Sequence, residues 1–286
     1  MVITKRTREA AEALVQEFKW PLAVTIHATE YGRNHGLFTD LQRSIDWLEK
    51  DLVAQAKQVI GCSQYMFREI RQLFQVPEER LQIIPNGVNM EDFTVSDQPN
   101  PYRDGIHKNI VFLGRLVPEK GLQTLIGAMF CILRDVPQAR VLAAGRGPWE
   151  EQLRSQITQM KLGDQVQLIG FVDEQRRNEL LAGADLAVFP STYEPFGIVA
   201  LEAMAAGVPV LVADTGGLGE IVEHGVDGYK FMPGHEKMLA KYAGRLLNNP
   251  ELSHSLAEQA KRKVLIHYNW RQIAAETLLV YEKAQN

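Results

Sequence analysis

Short apolar runs alternate with stretches of helical apolar spacing along nearly the whole chain. Runs at 22–27, 58–62, 81–85, 109–114, 139–145, 165–170, 185–190 and 208–213 read as strands. Many are continuously apolar, as expected of strands buried on both faces. Segments between them, such as 121–133 and 149–157, carry helical periodicity. This alternation predicts an α/β fold of parallel sheets covered by helices. A helical pattern over 7–18 precedes the first strand.

The pattern also divides the chain. The stretch 94–107 is polar and rich in Pro, Asn, Asp and Gly, the composition of a linker or long loop. It separates a first domain, 1–100, from a second, 101–270, which has enough strands and helices for a complete doubly wound domain. The first has about three strands, which leaves a sheet edge and apolar surface uncovered, so it reads as part of a domain. Residues 271–286 read as a terminal helix packing back on the first domain.

Composition narrows the function classes. The 286 residues are 45% hydrophobic and 23% charged, the profile of an ordinary globular protein, and the net charge of −4 offers no bulk attraction to nucleic acid. Cys62 and Cys131 form no spaced framework and sit in or beside apolar runs, so they read as structural thiols in a reducing cytoplasm. The seven histidines show no metal-ligand spacing, and no protein metal site is expected. No apolar stretch reaches membrane-spanning length. Lys5, Arg6 and Arg8 read as a solvated basic face in preference to a membrane-surface contact.

The most informative motif is Pro190-Ser-Thr-Tyr-Glu-Pro-Phe-Gly-Ile-Val-Ala-Leu-Glu202. A strand ends in a turn carrying Glu194, and Gly197 opens a helix expected to hold Glu202 about two turns inside. The helix N-terminus between the carboxylates offers free N–H groups and a positive dipole end, which suit a phosphate, while the carboxylates suit sugar hydroxyls. Together they describe a nucleotide-sugar pocket. A second strand ends at Gly114, followed by Arg115 and Lys120, a planar fork and a point charge suited to a diphosphate at a strand's carboxyl end.

Weaker signals surround these. Ala143-Ala-Gly-Arg-Gly-Pro148 is a glycine turn without the third glycine of a dinucleotide fingerprint, and no Walker-type phosphate loop exists. Leu168-Ile-Gly-Phe-Val172, with Phe171, either meets a base or is a plain strand terminus. Thr215-Gly216-Gly217 either lets backbone approach a ligand or serves turn chemistry. His27 leaves a strand tip with Glu30 and Arg33 in the following loop, and is either a cleft residue or structural.

These residues together resemble the retaining glycosyltransferases of family four, of GT-B architecture. The resemblance rests on His27, Ile84-Pro-Asn-Gly-Val-Asn89, Gly114-Arg-Leu116, Glu119-Lys-Gly121, Gly145, Gly170 and the Glu194/Glu202 pair. The loops at 27–33 and 215–218 also look like glycogen or starch synthases, which leans the donor toward ADP-glucose or UDP-glucose. The resemblance implies two Rossmann-like domains. Arg115 and Lys120 would hold the diphosphate, with Gly145 and Phe171 lining the donor site. Glu202 would bind the ribose. Glu194 and the amides of Phe196, Gly197 and Ile198 would hold the sugar and distal phosphate, and His27 would approach the transferring sugar. Transfer to a carbohydrate or other hydroxyl acceptor needs no cofactor. Family members begin with a glycine-rich loop that is not found before His27, so the first domain is expected to be short by on the order of a hundred residues, through a truncation, a misplaced start codon or a split that leaves this portion on another chain. A non-catalytic nucleotide-sugar-binding module is the competing reading. An epimerase or phosphorylase is disfavoured by the Glu194/Glu202 pair.

Overall fold

A computed structural model describes residues 10, 13, 15, 17–93 and 99–285. Lys5, Arg6, Arg8 and most of the expected first helix lie outside these residues. The backbone divides into two units, residues 1–86 with 270–286, and residues 87–269.

In the first unit, β1 (Ala23–Ile26), β2 (Gln58–Gly61) and β3 (Leu81–Ile83) form a parallel sheet in that order. Between them run α1 (Glu30–Asn34), α2 (Asp40–Gln55) and α3 (Gln64–Phe74). Thr39 opens α2 with a reciprocal capping box to Gln42, and Ser63 caps α3 through the Met66 amide. These side chains satisfy amide groups that a helix start leaves unpaired. The terminal helix, α11 by chain order (Trp270–Gln285), packs on β1 and β2, where Ile273 and Val280 join Ile60 and Ile84 in a buried cluster.

The second unit holds β4 (Lys108–Leu113), β5 (Ala139–Ala144), β6 (Val166–Gly170), β7 (Leu186–Phe189), β8 (Val210–Ala213) and β9 (Tyr229–Phe231). They form a parallel sheet in the order β6-β5-β4-β7-β8-β9. Its helices are α4 (Leu122–Asp135), α5 (Glu150–Gln159), α6 (Glu174–Ala182), α7 (Ile198–Ala205), α8 (Gly216–Ile221), α9 (Glu236–Leu247) and α10 (Pro250–His267). Residues of β7 and β8 are buried throughout, which is why their sequences are apolar without alternation. β9 was not expected from the sequence. Its sequence, Tyr-Lys-Phe, has Lys230 at its centre and forms no continuous apolar run.

The polar stretch behaves differently from a linker. Among its described residues, Asn100 donates to the Glu179 carbonyl at 2.7 Å, and Asn109 and Arg140 both donate to the Tyr102 carbonyl. Asp104 pairs with Arg140 at 2.9 Å. Asn, Asp and Pro signal the absence of regular structure, but here their side chains fasten the segment to the second unit, and the observed division falls earlier, between Asn86 and Gly87.

Candidate functional site

The loop after β4 and the turn after β7 follow neighbouring strands. β5 and β6 extend the sheet on one side of β4, and β7, β8 and β9 on the other. The point where strand order reverses leaves a crevice at the carboxyl ends, the usual ligand position in open parallel sheets.

On the β5 side, strand ends are bonded to one another. The Gly114 amide donates to the Ala144 carbonyl at 3.1 Å, and the Leu116 amide to the Arg146 carbonyl at 2.9 Å. The Gly145 amide donates to the Gly170 carbonyl at 2.7 Å. That amide is therefore engaged within the sheet, and glycine is required because a Cβ there would collide with the Gly114 carbonyl. Beyond Gly170, Phe171 is 68% exposed.

On the β7 side, the Thr192 amide donates to the Glu119 carbonyl at 2.8 Å, joining the two loops. Lys120 Nζ then donates to Glu194 Oε2 at 2.6 Å. The Ser191 hydroxyl stands 3.5 Å from the same oxygen. Glu194 is 8% exposed, so this is a largely desolvated ion pair. Arg115 reaches Glu119 at 3.2 Å and remains mostly exposed.

The turn itself is held from behind by α8. The Gly217 amide donates to the Glu194 carbonyl at 2.8 Å, and Thr215 Oγ1 to the Thr192 carbonyl at 3.2 Å. Gly216 and Gly217 let α8 lie directly on the turn. These three residues therefore shape the turn through its backbone. The Phe196 ring is buried, edge-on to Tyr268 at 6.2 Å, so only its backbone is available to a ligand. Gly197 precedes α7 without a side-chain cap, and Ile198, half exposed, is the first helical residue.

Glu202 is the fifth residue of α7, a little over one turn inside and not two. The helix starts after Gly197, which shortens the distance that counting from Glu194 suggested. Arg177 Nη1 on α6 donates to Glu202 Oε1 at 2.9 Å, with its guanidinium 5.2 Å over the Phe93 ring. Burial raises the Glu202 carboxyl above its ordinary value, and Arg177 opposes that rise.

Of the first-unit candidates, Glu30 and Arg33 come together around Glu49, while His27 is placed only by its position after β1. His27 follows β1 and is held below the ordinary histidine range by burial, which favours a neutral imidazole. Arg33 Nη1 lies 3.9 Å from Glu30 Oε2, and its Nη2 lies 3.8 Å from Glu49 Oε1. Glu49 is 1% exposed and is pushed up to about 7, chiefly by burial, against the lowering effect of the Glu30 amide. The folded state thus holds a proton that the unfolded chain has already released. The stability this contributes is full below the ordinary carboxylate value and is lost as pH rises to about 7. Glu49→Gln is expected to remove that loss, which amounts to about 3 kcal/mol. Urea unfolding of both proteins at pH 5 and pH 8 measures it, and an unchanged pH slope in the variant would refute the assignment.

Arg177 and Glu49 were not anticipated, and Glu119 and Ser191 stood in the quoted motifs without a role of their own. Arg177 sits beside Arg176 in a polar helix, and nothing local distinguishes them. Arg176 instead donates to the Tyr102 hydroxyl at 2.9 Å. Among the described residues, no three His, Cys, Asp or Glu side chains group as metal ligands, and no helix is long and apolar enough to cross a membrane.

Comparison with known proteins adds a family. The glycosyl transferases group 1 family matches residues 100–263, and Glycosyltransferase Family 4 matches residues 8–92. An uncharacterized glycosyltransferase of Methanocaldococcus jannaschii is 36% identical over 274 residues, covering 93% of this chain and 70% of the relative. The glycogen synthase of Mycobacterium tuberculosis is 34% identical over 276 residues, covering 96% of this chain and 66% of that enzyme. The structure of Anabaena HepE in complex with UDP-glucose superposes with a TM-score of 0.82 at 27% identity, over 96% of this chain and 77% of that one. The parallel-sheet α/β architecture is that of GT-B glycosyltransferases.

Proposed function

This chain belongs to the glycosyl transferases group 1 family, and on that premise we propose that it moves a hexose, glucose by preference, from a nucleoside diphosphate sugar to an acceptor hydroxyl with retention of configuration. The observation that carries this reading is the 2.6 Å bond between Lys120 and Glu194, which joins the loops after β4 and β7 just before the N-terminus of α7. A cation from one stretch of sequence meets a carboxylate and a helix N-terminus from another at the ends of neighbouring strands.

The polar inventory suits a donor. Lys120 has three N–H donors, so it can keep Glu194 and still donate to a phosphate oxygen. Arg177 takes Glu202 Oε1, and the second carboxylate oxygen keeps acceptor sites for ribose hydroxyls. Glu194 is likewise engaged at Oε2, with Oε1 for sugar hydroxyls. Lys120, Arg115 and the α7 terminus supply fixed positive charge where the leaving diphosphate gains negative charge. That charge makes a divalent cation unnecessary in this reading. The relatives' names support the donor class: one is a glycogen synthase, and one holds UDP-glucose. The acceptor is a carbohydrate or similar hydroxyl compound, and His27 serves the transferring sugar.

The test is a panel of isotope-labelled UDP-, ADP- and GDP-sugars with analysis of the product's anomeric configuration. Retained configuration and a rate unaffected by chelator are expected. Glu202→Ala is expected to raise the donor KM about tenfold, consistent with loss of a hydrogen bond involving a charged group. An inverted product would overturn the mechanism. Donor binding without turnover would instead favour a nucleotide-sugar-binding module.

A further inference from the structure

A buried carboxylate that substrate chemistry does not use stands behind the loop after β1. Glu49 lies on α2 and is 1% exposed. Its Oε2 accepts the backbone amide of Glu30 at 3.0 Å, three residues beyond His27. Arg33, one turn further on, lies 3.8 Å from its other oxygen. The same loop is fastened from α3. Thr29, fully buried, accepts the Gly32 amide at 2.9 Å and donates its hydroxyl to Glu69 at 2.6 Å. The start of α1, just after His27, is thus held by a carboxylate on each of two helices, Glu49 through the Glu30 amide and Glu69 through the hydroxyl of the capping Thr29. A surface carboxylate could cap α1 equally well. Placing Glu49 in the interior, with Asp46 on the same helix and Glu30 opposite adding to its electrostatic cost, needs a return in loop geometry.

We propose that Glu49 is a positioning residue: its carboxylate holds the Glu30 amide and thereby sets the backbone that carries His27. This rests on the reading of His27 as a residue serving hexosyl transfer. Glu49 touches no substrate. It acts through a main-chain hydrogen bond, so an acceptor oxygen of the same shape preserves the effect and an apolar side chain abolishes it.

The experiment compares Glu49→Gln with Glu49→Ala. In the alanine variant kcat is expected to fall at least tenfold with the donor KM within twofold of wild type. In the glutamine variant kcat is expected to stay within threefold. Amide hydrogen exchange at Glu30 and the His27 ring resonances are followed in parallel without any sugar nucleotide. Exchange at Glu30 should accelerate in Glu49→Ala only. Should Glu49→Ala not fold, Thr29→Val removes the opposite grip and is expected to lower kcat with the same unchanged KM. Equal kcat in all variants, or equal loss in the glutamine and alanine variants, overturns the proposal. A wild-type protein that transfers no hexose, yet shows the same exchange pattern, would sink the transfer reading while leaving the loop grip in place.

Discussion

Lys120→Ala is expected to lower turnover of a nucleoside diphosphate sugar by about 100- to 1,000-fold, the usual loss when one fixed charge facing a developing anion is removed. The Lys120 side chain is 20% exposed and the Glu194 side chain only 11%, so water screens the site weakly. Two effects combine in this variant. On the proposed reading the positive charge opposite the leaving diphosphate is gone, and Glu194 is left as a nearly buried carboxylate without its cation. Pairing Lys120→Ala with Glu194→Gln separates them. The double variant should recover thermal stability relative to Lys120→Ala, because the uncompensated charge is removed, but should not recover turnover. Arg115→Ala is expected to cost only about tenfold, since Arg115 is 63% exposed and solvent can replace much of its charge. Turnover within twofold of wild type in Lys120→Ala would remove the diphosphate role from this residue.

Gly121→Ala should produce the largest loss of stability, and it acts on the same loop. Gly121 closes the turn that carries Lys120, at φ 72°, in the left-handed region that L side chains rarely adopt. Its amide donates to the Pro118 carbonyl at 3.1 Å, and a Cβ there would fall inside the carbonyl of Pro190, the residue just after β7. The obstacle is backbone, so it cannot rotate away, and one of the two loops must move. A cost of about 2–4 kcal/mol is expected. Gly105 is the matched control. Its φ is 73°, and nothing lies within 4 Å of the Cβ position. Gly105→Ala therefore reports the conformational cost alone, of order 1 kcal/mol. Equilibrium unfolding of both variants gives the steric part by difference. Equal losses would mean that the approach of the β4 loop to Pro190 is not tight.

The eight strands read from apolar runs are all present, and β9 is the one added among the described residues. The successes share a cause. A strand buried on both faces must be apolar along its length, so β7 and β8 are visible without context. The described part of the polar stretch, 99–107, belongs to the second unit, because composition reports local conformation while membership of a unit depends on contacts such as Asn100 with Glu179, distant in sequence. Glu202 was legible as a candidate, but its partner Arg177 was not, because an arginine on a polar helix looks the same whether it faces solvent or a carboxylate.

By itself the sequence determined the element types, the parallel α/β class and the chemical character of the site, because turn glycines, buried strands and charged side chains at strand ends are encoded within a few residues of one another. Tertiary structure alone decided that β7 lies beside β4 rather than beside β6. That order brings Lys120 to Glu194 across 74 positions of sequence. Strand order is set by the crossover path and by which helix faces become buried together, and neither leaves a mark on any short stretch of the chain.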